Sequence, residues 1–464
     1  MSSLLIKNGT VVTATDHYQA DVYIEGETVS MIGATLDIVA EREIDATGCY
    51  LFPGGIDAHT HMELPVMGTQ SSDTFETGTL AGLHGGTTTI IDFANQSRGG
   101  TLEAAIQEWH RKADGHAVAD YAFHCAVTDF NDDSRKEIPR VVHDHGINSF
   151  KIFMAYKDTL MIDDAQIYQL MEEVARHGGI VTAHTENGDM IERNIRGHLE
   201  AGNTAVKYHA LSRPAYCEAE AAGRAIDIAH ATGCPFYIVH TTCEETLEMV
   251  KVATLRNQKV HVETCIQYLL LDESWYAREG FEGARMVISP PLRKKKDQQA
   301  LWASMNQNLV HHVATDHCPF CLAQKEAGRD DFTRIPNGAP GVENRFELLY
   351  SEGVAKGRID LNKFVEMSST GAAKIFGLFP RKGTIAVGSD ADIVIFDPDV
   401  QHRISAASHH MNVDYNPYEG WQVQGKTRTT ILRGTVAIDD GKALVGRGFG
   451  RYLKRPPKKG PLAN

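Results

Sequence analysis

Between residues 52 and 316 the chain repeats one pattern: a short β-rich segment, a stretch with helical spacing, then another β-rich segment. Alternation of this kind is the sequence form of βα units and a parallel sheet. Eight strands are predicted: Phe52 to His59, Thr87 to Phe93, Asp120 to Val127, Ser149 to Met154, Ile180 to His184, Phe236 to His240, Val260 to Thr264 and His311 to Asp316. Helical stretches separate several of them. One runs from Asp164 to His177, opens after Asp163, carries Ile167, Leu170, Met171 and Val174 on one face and closes at Gly178. Tyr216 to Thr232 and Glu244 to Gln258 have the same character. Eight units fit a closed barrel better than an open doubly wound sheet, because no glycine-rich dinucleotide turn follows the first strand. The open sheet is the second choice.

The two ends have a different texture. Leu4-Leu5-Ile6, Asn8-Gly9, Val11-Val12, Val22-Tyr23-Ile24 and Glu25-Gly26 alternate apolar runs with turns, and the texture returns in Ala391 to Pro398 and Thr429 to Ile438. Neither end holds enough strands for a sandwich alone, so the two are expected to pair. The predicted fold is α/β: a (β/α)8 TIM-like barrel with a small β-sandwich domain built from both chain ends. Its expected boundaries are 1–52 and 379–445 for the sandwich, 53–378 for the barrel and 446–464 for a basic tail. That tail carries Arg447, Arg451, Lys454, Arg455, Lys458 and Lys459 and reads as a solvated or subunit-bridging arm. Gly446-Arg-Gly448-Phe-Gly450 within it has no following helix and is not a phosphate loop.

Composition narrows the partners. Forty-six basic against sixty acidic residues give a formal charge of -14, without the basic balance of a nucleic-acid binder. No segment approaches the ~18 apolar residues of a membrane span and no signal-peptide core opens the chain, so a cytoplasmic location is expected. The eight Cys read as reduced thiols in a chain too long to need disulfide staples. Cys318 and Cys321 form a lone CxxC without zinc-ribbon or thioredoxin-like context. Small molecules and copies of the chain itself are the expected partners.

A His-x-His pair alone means little among 22 His, and His143-Asp-His145 sits in a polar stretch where solvated loop side chains are expected. Position separates the two pairs. His59 and His61 end the first barrel strand, where alternation aims both to one face, and strand C-termini line the mouth of such a barrel. Lys151, His184, His240 and Asp316 fall at the ends of other strands. Four imidazoles, a carboxylate and a lysine therefore converge. Nitrogen and oxygen donors without thiolate suit Zn²⁺ or a similar divalent ion. An ammonium beside two cations would lose its proton, and the free amine of Lys151 can then add CO2 to give a carbamate that bridges two metals.

The segments Gly55-Ile-Asp-Ala-His-Thr-His61, Ser149-Phe-Lys-Ile-Phe-Met-Ala-Tyr-Lys157, Thr182-Ala-His-Thr-Glu-Asn-Gly188, Val239-His-Thr-Thr242 and Ala314-Thr-Asp-His-Cys318 closely resemble the cyclic-amide amidohydrolases. The resemblance to bacterial D-hydantoinases and dihydropyrimidinases covers nearly the whole chain. It includes Glu263-Thr-Cys-Ile-Gln-Tyr-Leu269, Ser289-Pro-Pro-Leu-Arg293, Pro336-Asn-Gly-Ala-Pro-Gly-Val-Glu-Asn344 and Asp414-Tyr-Asn-Pro-Tyr-Glu-Gly420.

That resemblance implies a binuclear centre with His59, His61 and Asp316 on one ion, His184 and His240 on the other, and Lys151, modified to N6-carboxylysine, bridging both. The ions would be Zn²⁺, with Mn²⁺ or Co²⁺ as alternatives. It also implies a bridging hydroxide that attacks the ring carbonyl, with the Tyr156 hydroxyl on the oxyanion and Asp316 passing a proton to the departing nitrogen. Ser289 and Asn337 would grip the ring's amide edge, largely through main-chain groups. The products of 5-monosubstituted hydantoins would be N-carbamoyl D-amino acids, the D preference being carried by the resemblance alone. Homotetramers are common in the family, so a homotetramer or homodimer is expected.

Dihydroorotases of the superfamily typically place an Arg two residues past the second metal histidine to receive the substrate carboxylate; this chain has Glu63 there, and a carboxylate facing a carboxylate disfavours dihydroorotate. Leu64, Val66 and Phe153 at the mouth are expected to meet the substituent on carbon five. Three other readings compete: a dihydropyrimidinase acting on 5,6-dihydrouracil and dihydrothymine, a non-catalytic dihydropyrimidinase-related scaffold, and a barrel lyase or isomerase. The filled ligand set opposes the scaffold. The Tyr156, Ser289 and Asn337 contexts oppose the lyase.

Overall fold

The computed structural model describes residues 3–457. At its centre lie eight parallel strands: β1 (Gly55–Thr60), β2 (Thr87–Asn95), β3 (Asp120–Ala126), β4 (Ser149–Phe153), β5 (Ile180–His184), β6 (Phe236–Ile238), β7 (Val260–Cys265) and β8 (His312–Ala314). Every residue of β1 and of β3 to β8 is buried, as parallel strands are when helices cover one face and packed side chains fill the other. Each strand pairs with its sequence neighbour. The ring closes just past β8, where Thr60 bridges His317 and the His61 amide donates to the His317 carbonyl at 2.8 Å.

The predicted strands shift at several ends, for identifiable reasons. Phe52 belongs to a separate strand, Tyr50–Pro53, whose partner is Ile393–Arg403 in the other domain. The chain crosses between sheets at Gly54, where a Cβ would lie 2.1 Å from Thr88 Oγ1. β6 and β8 stop two residues before His240 and Asp316, because both residues turn the backbone left-handed, with φ of 39° and 52°. The helix Asp164–Arg176 is opened by the Asp163 carboxylate, which accepts from the Gln166 amide. Glu244–Leu255 ends three residues before the predicted Gln258.

Both chain ends join one sheet of nine strands. The seam is antiparallel pairing of Tyr50–Pro53 with Ile393–Phe396. Leu4, Ile6, Val22, Ile24, Leu51, Ile393, Ile395 and Ile431 form its apolar core. The sheet folds over that core until its outer turns meet: a Cβ on Gly434 would sit 2.0 Å from the Gly26 carbonyl. The Arg42 guanidinium reaches Asp439 at 2.8 Å across the same contact.

The tail departs from expectation. Arg447, Arg451 and Lys454 are exposed, but the segment is not a free arm. Tyr121 N donates to Arg451 O at 3.0 Å, Leu453 N to Tyr121 O at 2.7 Å and Arg455 N to Gly146 O at 2.8 Å, so the segment runs along the N-terminal ends of the barrel strands. Arg455 is buried and donates to the Phe123 carbonyl. Burial of Leu453 and of this guanidinium against the barrel outweighs the solvation that composition alone suggested. Lys458 and Lys459 lie outside the described residues.

Candidate metal centre

The predicted metal, catalytic, substrate-binding and substituent-pocket residues meet at the opposite, C-terminal end of the barrel. One cavity of about 820 Å³ is lined by His59, His61, Lys151, His184, His240 and Asp316, by Tyr156, Ser289 and Asn337, and by Leu64, Val66 and Phe153. Strand geometry brings them there. His59 is the fifth residue of β1 and His61 follows the strand; His184 ends β5; His240 and Asp316 sit two residues past their strands. Lys151 is an exception to the strand-end expectation, standing in the middle of β4. Tyr156, His240 and Asp316 all have positive φ, a concentration of uncommon backbone geometry that belongs with a functional site.

The donors form two groups. Asp316 Oδ1 lies 3.1 Å from His59 Nε2 and 3.0 Å from His61 Nε2. The ligand atoms of these three residues lie within 4.8 Å of one another and could hold a metal ion. In the second group, His184 Nδ1 lies 2.9 Å from His240 Nε2. The groups are adjacent, the His59 and His240 rings stacking at 5.4 Å. Lys151 is buried, with Nζ 4.9 Å from the centre of the Phe93 ring and 5.2 Å from that of Phe153.

Buried carboxylates behind the imidazoles fix which ring nitrogen faces inward. Glu263 Oε1 is 2.7 Å from His59 Nδ1, leaving Nε2 for the cavity. Glu186 Oε2 is 2.9 Å from His184 Nε2, leaving Nδ1. This is the carboxylate–histidine arrangement that orients metal ligands. Tyr237 adds a hydroxyl donation to Glu263 at 2.8 Å, and Arg213 an ion pair to Glu186 at 2.6 Å.

The electrostatics favour donor lone pairs. Burial holds His61 and His184 below the usual imidazole value and His240 well below it, so these rings are neutral. Burial also lowers the Lys151 ammonium to about 8. Burial opposes charge on Glu186, but Arg213 and His184 outweigh it and hold its pKa at about 2. His59 goes the other way: against burial, Asp316 and Glu263 lift it to about 9, the mark of a ring pressed between two carboxylates. Two facing imidazole nitrogens and two imidazoles sharing one carboxylate oxygen make a donor set that divalent ions fit.

The uncharged wall of the cavity is as distinctive. Asn337 Nδ2 donates to Ser289 Oγ at 3.0 Å, and among the described residues neither main-chain amide of these two residues has a hydrogen-bond partner. Both residues line the cavity, so these amides are available to a ligand. Burial raises the Tyr156 phenol, so it stays protonated and able to donate through the neutral range.

The amidohydrolase family model matches residues 50–437. The chain belongs to the amidohydrolase family. It is 50% identical over 455 residues to a D-hydantoinase of Geobacillus stearothermophilus, covering 97% of this chain and 96% of that relative. Among solved structures, the dihydropyrimidinase from Brevibacillus agri NCHU1002 is 49% identical with a TM-score of 0.98, covering 99% of this chain and 100% of that one. The D-hydantoinase from Bacillus sp. AR9 is 48% identical with a TM-score of 0.97, covering 98% and 99%.

Two points in this amidohydrolase were not reached from sequence. Glu263, Glu186 and Arg213 were missed as working residues, although a Glu inside an otherwise apolar strand such as Val260–Cys265 was the available signal. Glu63 was placed facing the substrate and does not line the cavity. Its φ of 51° turns the chain there, and its carbonyl accepts from Lys112 Nζ at 2.9 Å. The argument against dihydroorotate therefore rests on the missing Arg and not on repulsion by Glu63.

Proposed function

We propose that this amidohydrolase hydrolyses cyclic amides, opening D-5-monosubstituted hydantoins to N-carbamoyl D-amino acids. The observation that carries the reading is one cavity that joins four imidazoles, Asp316 and Lys151 to a wall of unpaired, uncharged main-chain amides. Arg98 and Lys112 line the same cavity, but Ser289 and Asn337 present only uncharged groups, to which a ring imide, alternating N–H and C=O, is complementary.

His59, His61 and Asp316 would hold one divalent ion and His184 and His240 a second, with Lys151 carboxylated by CO2 between them. Zn²⁺, or Mn²⁺ or Co²⁺ on the same ligands, supplies Lewis-acid polarisation of the attacked carbonyl and a water ionised near neutral pH. Ser289 and Asn337 orient the ring through their main-chain groups. The Tyr156 hydroxyl donates to the oxygen that gains charge. Asp316 takes the proton of the attacking water on a carboxylate oxygen and returns it to the ring nitrogen as the C–N bond breaks. Water is thus divided between the new carboxylate and the released ureido nitrogen. Leu64, Val66 and Phe153 face the carbon-five substituent, and their apolar surface favours aryl and alkyl groups.

Dihydropyrimidines offer the same amide edge, and the Brevibacillus relative is named a dihydropyrimidinase, so 5,6-dihydrouracil is the second reading. Catalytic efficiencies on a D-5-substituted hydantoin, its L enantiomer and dihydrouracil, measured side by side on zinc- and bicarbonate-supplemented protein, separate the two. The D-hydantoin is expected to lead. A lead for dihydrouracil moves the substrate and keeps the chemistry; no turnover of any ring overturns the proposal.

A further inference from the structure

Lys325 is completely buried at the end of the short helix Leu322–Lys325, yet it forms no ion pair among the described residues. An ammonium in that position is costly unless all its protons are used. They go to main-chain carbonyls: Pro336 O and Gly338 O, each at 2.9 Å, and Val287 O at 3.5 Å. The first two flank Asn337. The third lies two residues before Ser289 and also accepts from the Gly338 amide at 2.9 Å. One buried lysine, which burial lowers to about 7, thus ties together the two segments that form the uncharged wall through its hydrogen bonds.

Peptide planarity converts this tie into an orientation. A trans peptide points its C=O and N–H in opposite directions. With Pro336 O drawn back to Lys325, the Asn337 N–H points away from the ammonium, and no described group receives it. The neighbouring segment is held in the same way: His209 Nε2 lies 2.8 Å from Ile288 O, which turns the Ser289 N–H away from His209. The loop cannot settle elsewhere easily, since a Cβ on Gly338 would lie 2.1 Å from Cys318 O.

We infer that Lys325 is a positioning residue for substrate, aiming the main-chain groups of Asn337 and Ser289 at the amide edge of the ring from behind the cavity wall. The inference rests on the cyclic-amide reading given above. Contacts to the amide edge exist in the bound substrate as well as in the transition state, so their loss raises KM and leaves kcat nearly unchanged.

The test uses full-length, metal-loaded wild type and Lys325→Met, with Lys325→Gln as a second variant that restores two neutral donors. Steady-state kinetics on a D-5-substituted hydantoin are read with the metal content, and calorimetry measures dihydrouracil binding to the metal-depleted proteins. Lys325→Met is expected to raise KM roughly 10-fold, the loss of one or two hydrogen bonds, to weaken ring binding without metal by a similar factor, and to retain the wild-type metal content. Lys325→Gln is expected to fall between the two, and it carries the test if Lys325→Met does not fold. Wild-type KM and ring affinity in a folded variant overturn the inference alone, as does a fall in kcat at constant KM. A wild type that neither binds nor hydrolyses any cyclic amide overturns both this inference and the reading beneath it.

Discussion

The two ends of the barrel both bury charge, and they do so in opposite ways. At the N-terminal end Lys382 lies 2.9 Å from Asp120 and 2.5 Å from Asp392, Arg433 pairs with Asp120, and Arg455 from the tail donates to a barrel carbonyl. Lys382 and Arg433 meet carboxylates there and join the barrel to the end sheet, while Arg455 meets a main-chain carbonyl. At the C-terminal end donors face donors: His184 against His240, and His59 with His61 on a single carboxylate oxygen. At the first end opposite charges pair with each other. The second is chemically complete only with cations, and it is where uncommon backbone conformations gather. Buried charge by itself therefore does not mark a site; an excess of one kind of partner does.

The contrast can be broken from either end. The largest effect is expected at the base: Lys382→Met leaves Asp120, Asp390 and Asp392 without their shared cation and should cost about 3–5 kcal/mol of stability, seen as a lower denaturation midpoint, with KM and metal content unchanged in the folded protein. At the mouth, Tyr156→Phe should lower kcat by roughly 10²-fold to 10³-fold, the usual loss for one oxyanion donor, while metal analysis still finds the wild-type content. Glu263→Gln, which loosens the inward tautomer of His59, should weaken metal affinity by about 10-fold to 100-fold, measured by competition with a chelator.

A further effect appears only when the pH is changed. Burial lowers His209 to about 3, so its ring stays neutral in the folded chain while the unfolded chain takes up a proton below the ordinary value of 6.5. The unfolded state then binds more protons, and this group's contribution to stability is present above 6.5 and lost as pH falls from there toward 3, by up to about 1.4 kcal/mol per pH unit. His209→Gln should flatten the acid side of the Tm–pH curve by that amount. An unchanged slope would show that His209 does not sense its burial.

Legibility in the sequence followed the range of the interactions involved. Strand alternation is local, so His59, His61 and His184 could be placed at one mouth from spacing alone. His240 and Asp316 were found although their strands end early, because both still lie within two residues of the strand. Glu263 acts on a residue of another strand and Arg213 on a residue 27 positions away, and no local period reports a contact such as His59 with Glu263, 204 residues apart. Glu186 lies only two residues past His184, but in a loop, where strand alternation no longer says which way a side chain points. The tail misled for the same reason: its basic composition reads as solvated, whereas Arg455 is buried against the distant barrel base and donates to the Phe123 carbonyl. Phe52 was assigned to the barrel because apolar character does not tell which of two sheets a strand joins; the break at Gly54 does.

The central claim, that the mouth is a two-metal hydrolytic site bridged by Lys151, is tested most directly by metal analysis and turnover on the same samples of wild type and Lys151→Ala, each reconstituted with zinc and bicarbonate. The account predicts two zinc ions per chain and turnover of a D-5-substituted hydantoin in the wild type, with the pair lost and turnover at background in a variant that remains folded. A folded Lys151→Ala protein that keeps two ions and hydrolyses the ring at the wild-type rate would contradict it.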